Sequence, residues 1–245
     1  MRSFGLIGKT LTHSFSKKYF SDKFAREGMH DCSYELFPLD SIDLLPGLLA
    51  QRPDLLGLNV TIPYKQSVMD YLSEAVIPKE LGACNCIKIV DGSCLGYNTD
   101  VIGFERSLSP LLEPRYRAAL VLGTGGASRA VTYVLRKLGI PFSQVGRTLS
   151  AAASITYDQL TAADIQSHQI LINTTPLGTY PEVNGIPALP YQAIGAGHLL
   201  YDLVYNPSLT AFLQKGVQAG ARIKNGEEML QLQAEESWKI WNQLT

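Results

Sequence analysis

An α/β fold in two domains is predicted by three observations. Short β-type runs alternate with helical stretches along the chain. A glycine cluster, Gly123-Thr124-Gly125-Gly126-Ala127, joins an apolar run to a helical pattern near the middle of the chain, not at its start. Polar clusters follow several strands in the half that precedes it. Alternating strands and helices imply mostly parallel sheets, and in open parallel sheets ligands lie outside the carboxyl ends of the strands.

Taken in order, the first half contains β-type runs at 3–7, 33–37, 56–60, 86–90 and 94–97. Between them a helix is predicted over 17–27, capped by Ser16 and stopped by Gly28, and another over 40–50. A helix over 101–112 leads into the second half. There, strands are predicted at 118–122, 143–145, 170–173, 199–202 and 221–224, with helices over 128–138, 208–219 and 227–244. The last helix places Leu230, Ala234, Trp238, Trp241 and Leu244 at helical spacing. No repeat or low-complexity tract interrupts the pattern.

Bulk properties exclude several classes. At 245 residues the chain can bury a full core in one or two domains. A net charge of −1 and a pI near 6.4 argue against a nucleic-acid or anionic-membrane partner. The opening Ser3-Phe-Gly-Leu-Ile-Gly8 reads as a strand, without a basic n-region or long apolar h-region. No apolar run approaches the roughly 20 residues that cross a bilayer. Cys32, Cys84, Cys86 and Cys94 lack zinc spacing and no metal site is expected. Free thiols in a reducing cytoplasm are predicted.

Gly123, Gly125 and Gly126 lie where a strand ends and a helix begins. Glycines there let the backbone approach a pyrophosphate, and the helix offers free N–H groups and a positive dipole end. This is the context of a Rossmann-type dinucleotide site. In the NAD version an acidic residue about 20 residues on holds the ribose 2′-OH. Here Gln144-Val-Gly146-Arg147-Thr148 occupies that place, and no Asp or Glu occurs between Glu113 and Asp158. A 2′-phosphate needs a cation and hydroxyl donors, so Arg147 and Thr148 predict NADP rather than NAD. Arg136 and Lys137 read as a solvated helix face.

The first half gathers polar residues after its strands: His13-Ser14-Phe15-Ser16, Asn59-Val-Thr61-Ile-Pro63-Tyr-Lys65, Asn85, and Asn98-Thr99-Asp100. One such cluster is ordinary turn and cap chemistry. Several, on different strands, suit a small, polyhydroxylated, anionic substrate. Taken alone, Lys65 and Asp100 read as a surface lysine and a helix cap, and their Asn-Val-Thr and Asn-Thr-Asp contexts set them apart.

These motifs resemble those of the shikimate dehydrogenase family, NADP-dependent reductases of 3-dehydroshikimate, over nearly the whole chain. Gly8–Ser16 is similar to the amino-terminal serine motif, which implies that Ser14 and Ser16 bind the substrate carboxylate. Gly57-Leu-Asn59-Val-Thr61-Ile-Pro63-Tyr-Lys65 matches the signature ending in the catalytic lysine, and Gly96-Tyr-Asn98-Thr99-Asp100 matches the aspartate motif. The resemblance further implies substrate contacts for Asn59, Thr61, Asn85, Tyr205 and Gln233. For the cofactor it implies Gly123, Gly125, Gly126, Ala127, Arg147, Thr148, Thr174, Thr175 and Gly226. The chain departs from the pattern at Lys17 (usually proline), Cys86 (usually threonine), Gly146 (usually asparagine) and Glu228 (usually glycine), and lacks an arginine a few residues past Arg147. The isolation of Arg147 predicts a weaker NADP preference than the family norm.

The domains expected are a substrate-binding and catalytic domain over 1–100, rejoined by 229–245, and an NADP-binding domain over 101–228, with the binding cleft between them. The activity implied is reversible NADPH-dependent reduction of 3-dehydroshikimate, in the chorismate pathway of aromatic amino-acid biosynthesis, by a cytoplasmic monomer or homodimer. The competing readings are a quinate or aminoshikimate dehydrogenase of the same family, and a nucleotide-sensing module without catalysis. The presence of both Lys65 and Asp100 counts against the last. A folate-type dehydrogenase would leave Ser14 and Ser16 unexplained.

Overall fold

The computed structural model describes residues 1–11 and 14–243. His13 of the first polar cluster and Leu244 of the last helix lie outside the described residues. The chain divides into one unit formed by Met1–Ile102 with Gln231–Thr245, and a second formed by Gly103–Leu230.

In the first unit the strands are β1 (Arg2–Gly8), β2 (Cys32–Pro38), β3 (Leu55–Val60), β4 (Glu74–Ala75), β5 (Cys86–Val90) and β6 (Ser93–Tyr97). They form one sheet in the order β2-β1-β3-β5-β6-β4. β1 runs parallel to both β2 and β3, but β5 is antiparallel to β3 and β6. Three of its five strand pairings are parallel, in line with the mostly parallel sheet expected, and the antiparallel departure at β5 and β6 comes from the two-residue turn Asp91-Gly92, whose φ angles of 48° and 77° suit a tight hairpin.

Helix α1 (Phe15–Arg26) is capped by Ser14, not Ser16: the Lys17 N–H donates to Ser14 Oγ at 3.2 Å. Gly28, at φ 67°, ends it. The helix expected over 40–50 is a 3₁₀ turn at Ile42–Leu44 followed by α2 (Leu45–Gln51). Pro46 lacks the N–H that one continuous helix would need there. Beneath β1 and β3 an aromatic cluster forms the core: Phe20 stacks on Tyr34 at 4.6 Å and Phe4 on Trp241 at 4.9 Å. Trp241 belongs to α7 (Glu227–Asn242) and donates through Nε1 to the Ile87 carbonyl at 2.9 Å. A Cβ on Gly57 would stand 2.3 Å from that Nε1, so glycine in β3 is what admits the indole.

The second unit is wholly parallel. Its strands are β7 (Ala119–Leu122), β8 (Phe142–Gly146), β9 (Ile155–Thr156), β10 (Ile170–Asn173), β11 (Leu199–Asp202) and β12 (Arg222–Lys224), in the order β12-β11-β10-β7-β8-β9. The order reverses between β7 and β10, which makes the carboxyl ends of these two strands the switch point where ligands bind. Helices α4 (Gly126–Lys137), α5 (Ala162–Ser167) and α6 (Ala211–Gln218) cover it, and Leu120, Leu122, Val145, Leu171, Leu200 and Phe212 form its core. α3 (Thr99–Leu108) carries the chain from the first unit into the second, and the predicted continuation to 112 becomes a 3₁₀ turn at Ser109–Leu111.

Candidate active site

Lys65 follows β3 in a tight turn that is cis at Ile62–Pro63. The turn is fastened on both sides. Tyr64 donates its hydroxyl to the Leu39 carbonyl at 2.6 Å, and the Lys65 carbonyl accepts from the Cys84 N–H at 2.7 Å. Asp100 lies in the first turn of α3. There Asn98 Oδ1 accepts the Val101 N–H at 3.2 Å, as a capping residue does, which leaves the Asp100 carboxylate to other work. Lys65 Nζ and Asp100 Oδ2 meet at 2.6 Å, their side chains 20% and 13% exposed. A partly buried, hydrogen-bonded pair of this kind holds an ammonium in one place and leaves it reachable.

Around the pair lies a polar network that joins β3, the start of β5, α3 and α7. Asn59 accepts from the Tyr34 hydroxyl at 2.9 Å and donates to Ser237 Oγ at 2.9 Å and the Asn85 carbonyl at 3.3 Å. Asn85 Oδ1 accepts the Thr99 N–H at 2.6 Å, and its amide donates to Thr99 Oγ1 at 3.0 Å and Gln233 Oε1 at 3.4 Å. Asn59, Asn85, Gln233 and Ser237 are all buried. Both asparagines thus hold the first unit together, and little of their hydrogen-bonding capacity is left over. Burial pushes the Tyr34 phenol well up, against the opposing effect of its hydrogen bond with Ser16. Ser16 is thereby linked to Asn59 through Tyr34. Ser14 accepts with a lone pair as cap, so its own hydroxyl proton remains available to donate. Thr61 donates its backbone N–H to the Ile7 carbonyl at 2.9 Å, beside Gly8. Ser237 was not among the residues singled out from sequence, since a buried serine on a helix carries no local signal.

Two of the four cysteines flank this network. Burial raises the Cys84 thiol to about 11 and pushes Cys86 higher still. All four cysteines are free, and among the described residues no group of three His, Cys, Asp or Glu could hold a metal ion. Among the same residues no helix is long and apolar enough to cross a membrane.

In the second unit a cavity of about 430 Å³ opens at the switch point, lined by Gly123, Gly125, Gly146, Arg147, Thr174 and Thr175 among others. Gly123 has φ 109°, and a Cβ there would stand 2.8 Å from Thr174 Oγ1. Gly125 precedes α4 as its cap residue, and a Cβ there would meet nothing within 4 Å. That open space before a helix N-terminus suits a phosphate. The turn is braced from behind: Gln144 donates to the Gly123 carbonyl at 2.8 Å and to Ser128 Oγ at 3.0 Å, and Ser128 donates to the Gly125 carbonyl at 2.7 Å.

Arg147 and Thr148 are exposed just past β8. Arg147 has no ion-pair partner among the described residues, and no carboxylate lines the cavity. Gly146 has a packing reason: a Cβ would lie 2.7 Å from Ala153 Cβ and 2.9 Å from the Thr148 carbonyl. The fit to a dinucleotide with an anionic ribose is good on these grounds. Thr174 and Thr175 follow β10. Thr174 donates to the Leu122 carbonyl at 2.7 Å and Thr175 to Asn173 Oδ1 at 2.6 Å. Asn173 in turn donates to Asp202 Oδ1 at 2.9 Å, while Thr210 donates to Asp202 Oδ2 at 2.6 Å. Asp202 is fully buried, and burial lifts its carboxyl to about 6 against these hydrogen bonds. Ala127 is in the first turn of α4. Tyr205 follows β11. Gly226 sits so close to the Leu203 backbone that a Cβ would lie 2.0 Å from its carbonyl oxygen. Glu228 pairs with Lys224.

The family model of the shikimate dehydrogenase substrate binding domain matches residues 6–87. A shikimate dehydrogenase (NADP(+)) of Clostridium beijerinckii is 38% identical over 260 residues, 99% of this chain and 93% of that relative. The crystal structure of a shikimate 5-dehydrogenase from Thermus thermophilus in complex with NADP(H) and shikimate is similar with a TM-score of 0.86 at 29% identity, over 100% of this chain and 94% of that one. A quinate dehydrogenase from Corynebacterium glutamicum in complex with NAD is similar with a TM-score of 0.86 at 25% identity, over 99% and 94% of the two chains.

Proposed function

Because the chain belongs to the shikimate dehydrogenase family, we propose that it interconverts 3-dehydroshikimate and shikimate with NADP as cofactor, on the route to chorismate. The observation that carries the reading is the Lys65–Asp100 pair, held at 2.6 Å beside a buried polar network, with Lys65 inside the region that the substrate-binding family model matches. Substrate falls to the first unit and cofactor to the second.

NADPH, when bound, supplies the hydride. The chain's own residues do the rest. As the ketone is reduced its oxygen gains negative charge, and Lys65 Nζ donates the proton that quenches it. Asp100 keeps the ammonium in place throughout. In the reverse direction the Lys65 amine accepts the hydroxyl proton. Ser14 donates to the substrate carboxylate, Ser16 joins it by turning its hydroxyl proton away from the Tyr34 oxygen, and Thr61 and Gln233 bind the substrate hydroxyls. Asn59 and Asn85 act mainly by position, since only the second lone pair of Asn59 Oδ1 and the longest bond of Asn85, at 3.4 Å, are open to a substrate hydroxyl. Gly123, Gly125, Gly126 and Ala127 receive the pyrophosphate. Arg147 and Thr148 take the 2′-phosphate, and Thr174, Thr175 and Gly226 support the nicotinamide side. The free thiols fit a cytoplasmic enzyme, acting as a monomer or homodimer.

The quinate reading rests on the Corynebacterium glutamicum enzyme, whose structure holds NAD. Against it stand Arg147 and a cavity wall without a carboxylate. Steady-state rates with shikimate and quinate, each with NADP+ and NAD+, test the choice. The highest kcat/KM is expected for shikimate with NADP+. A higher value for quinate, or for NAD+, would overturn the assignment.

A further inference from the structure

Tyr157 carries the second unit's unexplained polar atom. Its hydroxyl is buried and has no hydrogen-bond partner among the described residues. A buried donor left unpaired is costly, and a native chain rarely keeps one without use. The ring is partly buried against the core of β7, β8 and β10, and the residue lines the cavity that also holds Arg147 and the glycine turn. Its position is not a loose one. Tyr157 opens a 3₁₀ turn after β9 that is fixed by a capping box, in which Gln159 Oε1 accepts the Thr156 N–H at 3.0 Å. Burial raises the phenol, and the Arg147 cation is close enough to oppose that rise. The hydroxyl is therefore a neutral donor at neutral pH, next to a guanidinium without an ion-pair partner.

We propose that the Tyr157 hydroxyl is a specificity-determining contact to the cofactor: it donates a hydrogen bond to the 2′-phosphate that Arg147 neutralises. This rests on the NADP reading above. The two groups divide the work. Arg147 supplies charge and a bidentate fork, and Tyr157 supplies a directed neutral donor from a fixed ring, with its desolvation already met in the free protein. A cofactor with a 2′-hydroxyl in place of the phosphate gains much less, because a hydrogen bond to a charged acceptor is the stronger one.

The test is Tyr157→Phe, which removes the oxygen alone, read by calorimetric titration of the free enzyme with NADP+, NAD+ and adenosine 2′,5′-bisphosphate. Affinity for NADP+ and for the bisphosphate is expected to fall about tenfold or more, with NAD+ affinity unchanged. The melting temperature of the ligand-free variant should be equal to or above wild type, since no protein hydrogen bond is lost. Unchanged NADP+ affinity, or an equal fall for NAD+, would overturn the assignment of Tyr157. If the wild type binds NADP+ no more tightly than NAD+, the 2′-phosphate reading itself fails, and Tyr157 with it. If the wild type prefers NADP+ and Tyr157→Phe keeps that preference in full, only Tyr157 is struck out.

Discussion

Replacing Lys65 separates charge from proton delivery. Nζ stands 2.6 Å from Asp100 Oδ2, with the side chains 20% and 13% exposed. At that separation and an effective dielectric near 20 the Coulomb attraction is on the order of 6 kcal/mol, before the desolvation of both ions is subtracted. What survives is enough to hold the ammonium in one orientation. Proton transfer from such a positioned group contributes roughly 10²–10⁴-fold. Lys65→Ala is therefore expected to lower kcat by about 10²–10⁴-fold with little change in KM, the pattern of an interaction made in the transition state. Lys65→Arg keeps the positive charge, but a guanidinium does not release a proton near neutrality, so kcat should fall nearly as far. Asp100→Asn should lower kcat by less, because the ammonium remains but loses its anchor. The assay is the initial rate of NADPH formation, followed by absorbance over a matrix of shikimate and NADP+ concentrations, with melting temperatures measured alongside. Near-native kcat in Lys65→Ala would remove Lys65 from the mechanism. A Lys65→Arg enzyme that kept most of its turnover would refute proton donation and leave only the charge.

Much of this arrangement is legible in the chain, for identifiable reasons. The second unit's strands are short apolar runs bounded by glycine and polar residues, and the glycine turn after β7 announces the ligand-binding end of its sheet. In the first unit the Asp91-Gly92 dipeptide is the local signal for the antiparallel β5–β6 hairpin, and alternation with helices accounts for the parallel pairings of β1 with β2 and β3. The two-residue strands β4 and β9 and the six-residue α5 fall below the window in which periodicity can speak. Ser14 and Ser16 compete for the same cap. Ser14 takes it, one residue before α1 begins at Phe15, while the predicted start at Lys17 had pointed to Ser16. The pairing of Lys65 with Asp100 was readable only through its motif context, since nothing in a lone lysine and a distant aspartate says they meet. Ser237 and Tyr157 were invisible for a stronger reason. Each acts through burial, and burial of a single hydroxyl is decided by the packing of distant elements.

Four further outcomes follow from the same geometry. Ser14→Ala should raise the KM for shikimate roughly tenfold, the cost of one hydrogen bond to a carboxylate, and also lower stability by about 1 kcal/mol through loss of the α1 cap. Ser16→Ala should raise KM similarly with little change in melting temperature, so a stability loss confined to Ser16→Ala would contradict the observed cap. Asp202, with a carboxyl raised to about 6 by burial against about 3.9 in an unfolded chain, binds its proton more tightly when folded. Its contribution to stability therefore rises as pH falls through 6 and levels off below about 4, and a carboxyl-carbon NMR titration placing Asp202 near or below 4 would refute the burial argument. Gly146→Asn is the most discriminating change, because family pattern and packing give opposite answers. Restoring the usual asparagine before Arg147 would, on pattern alone, tighten NADP+ binding. In the structure any Cβ at this position lies 2.7 Å from Ala153 Cβ and 2.9 Å from the Thr148 carbonyl. One of these obstacles is backbone, and the other is the Cβ of a buried alanine with no flexible end to yield. The loop that carries Arg147 and Thr148 must then shift, at an overpacking cost of about 1–3 kcal/mol. Gly146→Asn is accordingly expected to lower the melting temperature and weaken NADP+ binding together, as measured by thermal unfolding and calorimetric titration. Tighter NADP+ binding with no loss of stability would show that the loop accommodates a side chain, and the packing explanation for Gly146 would fall.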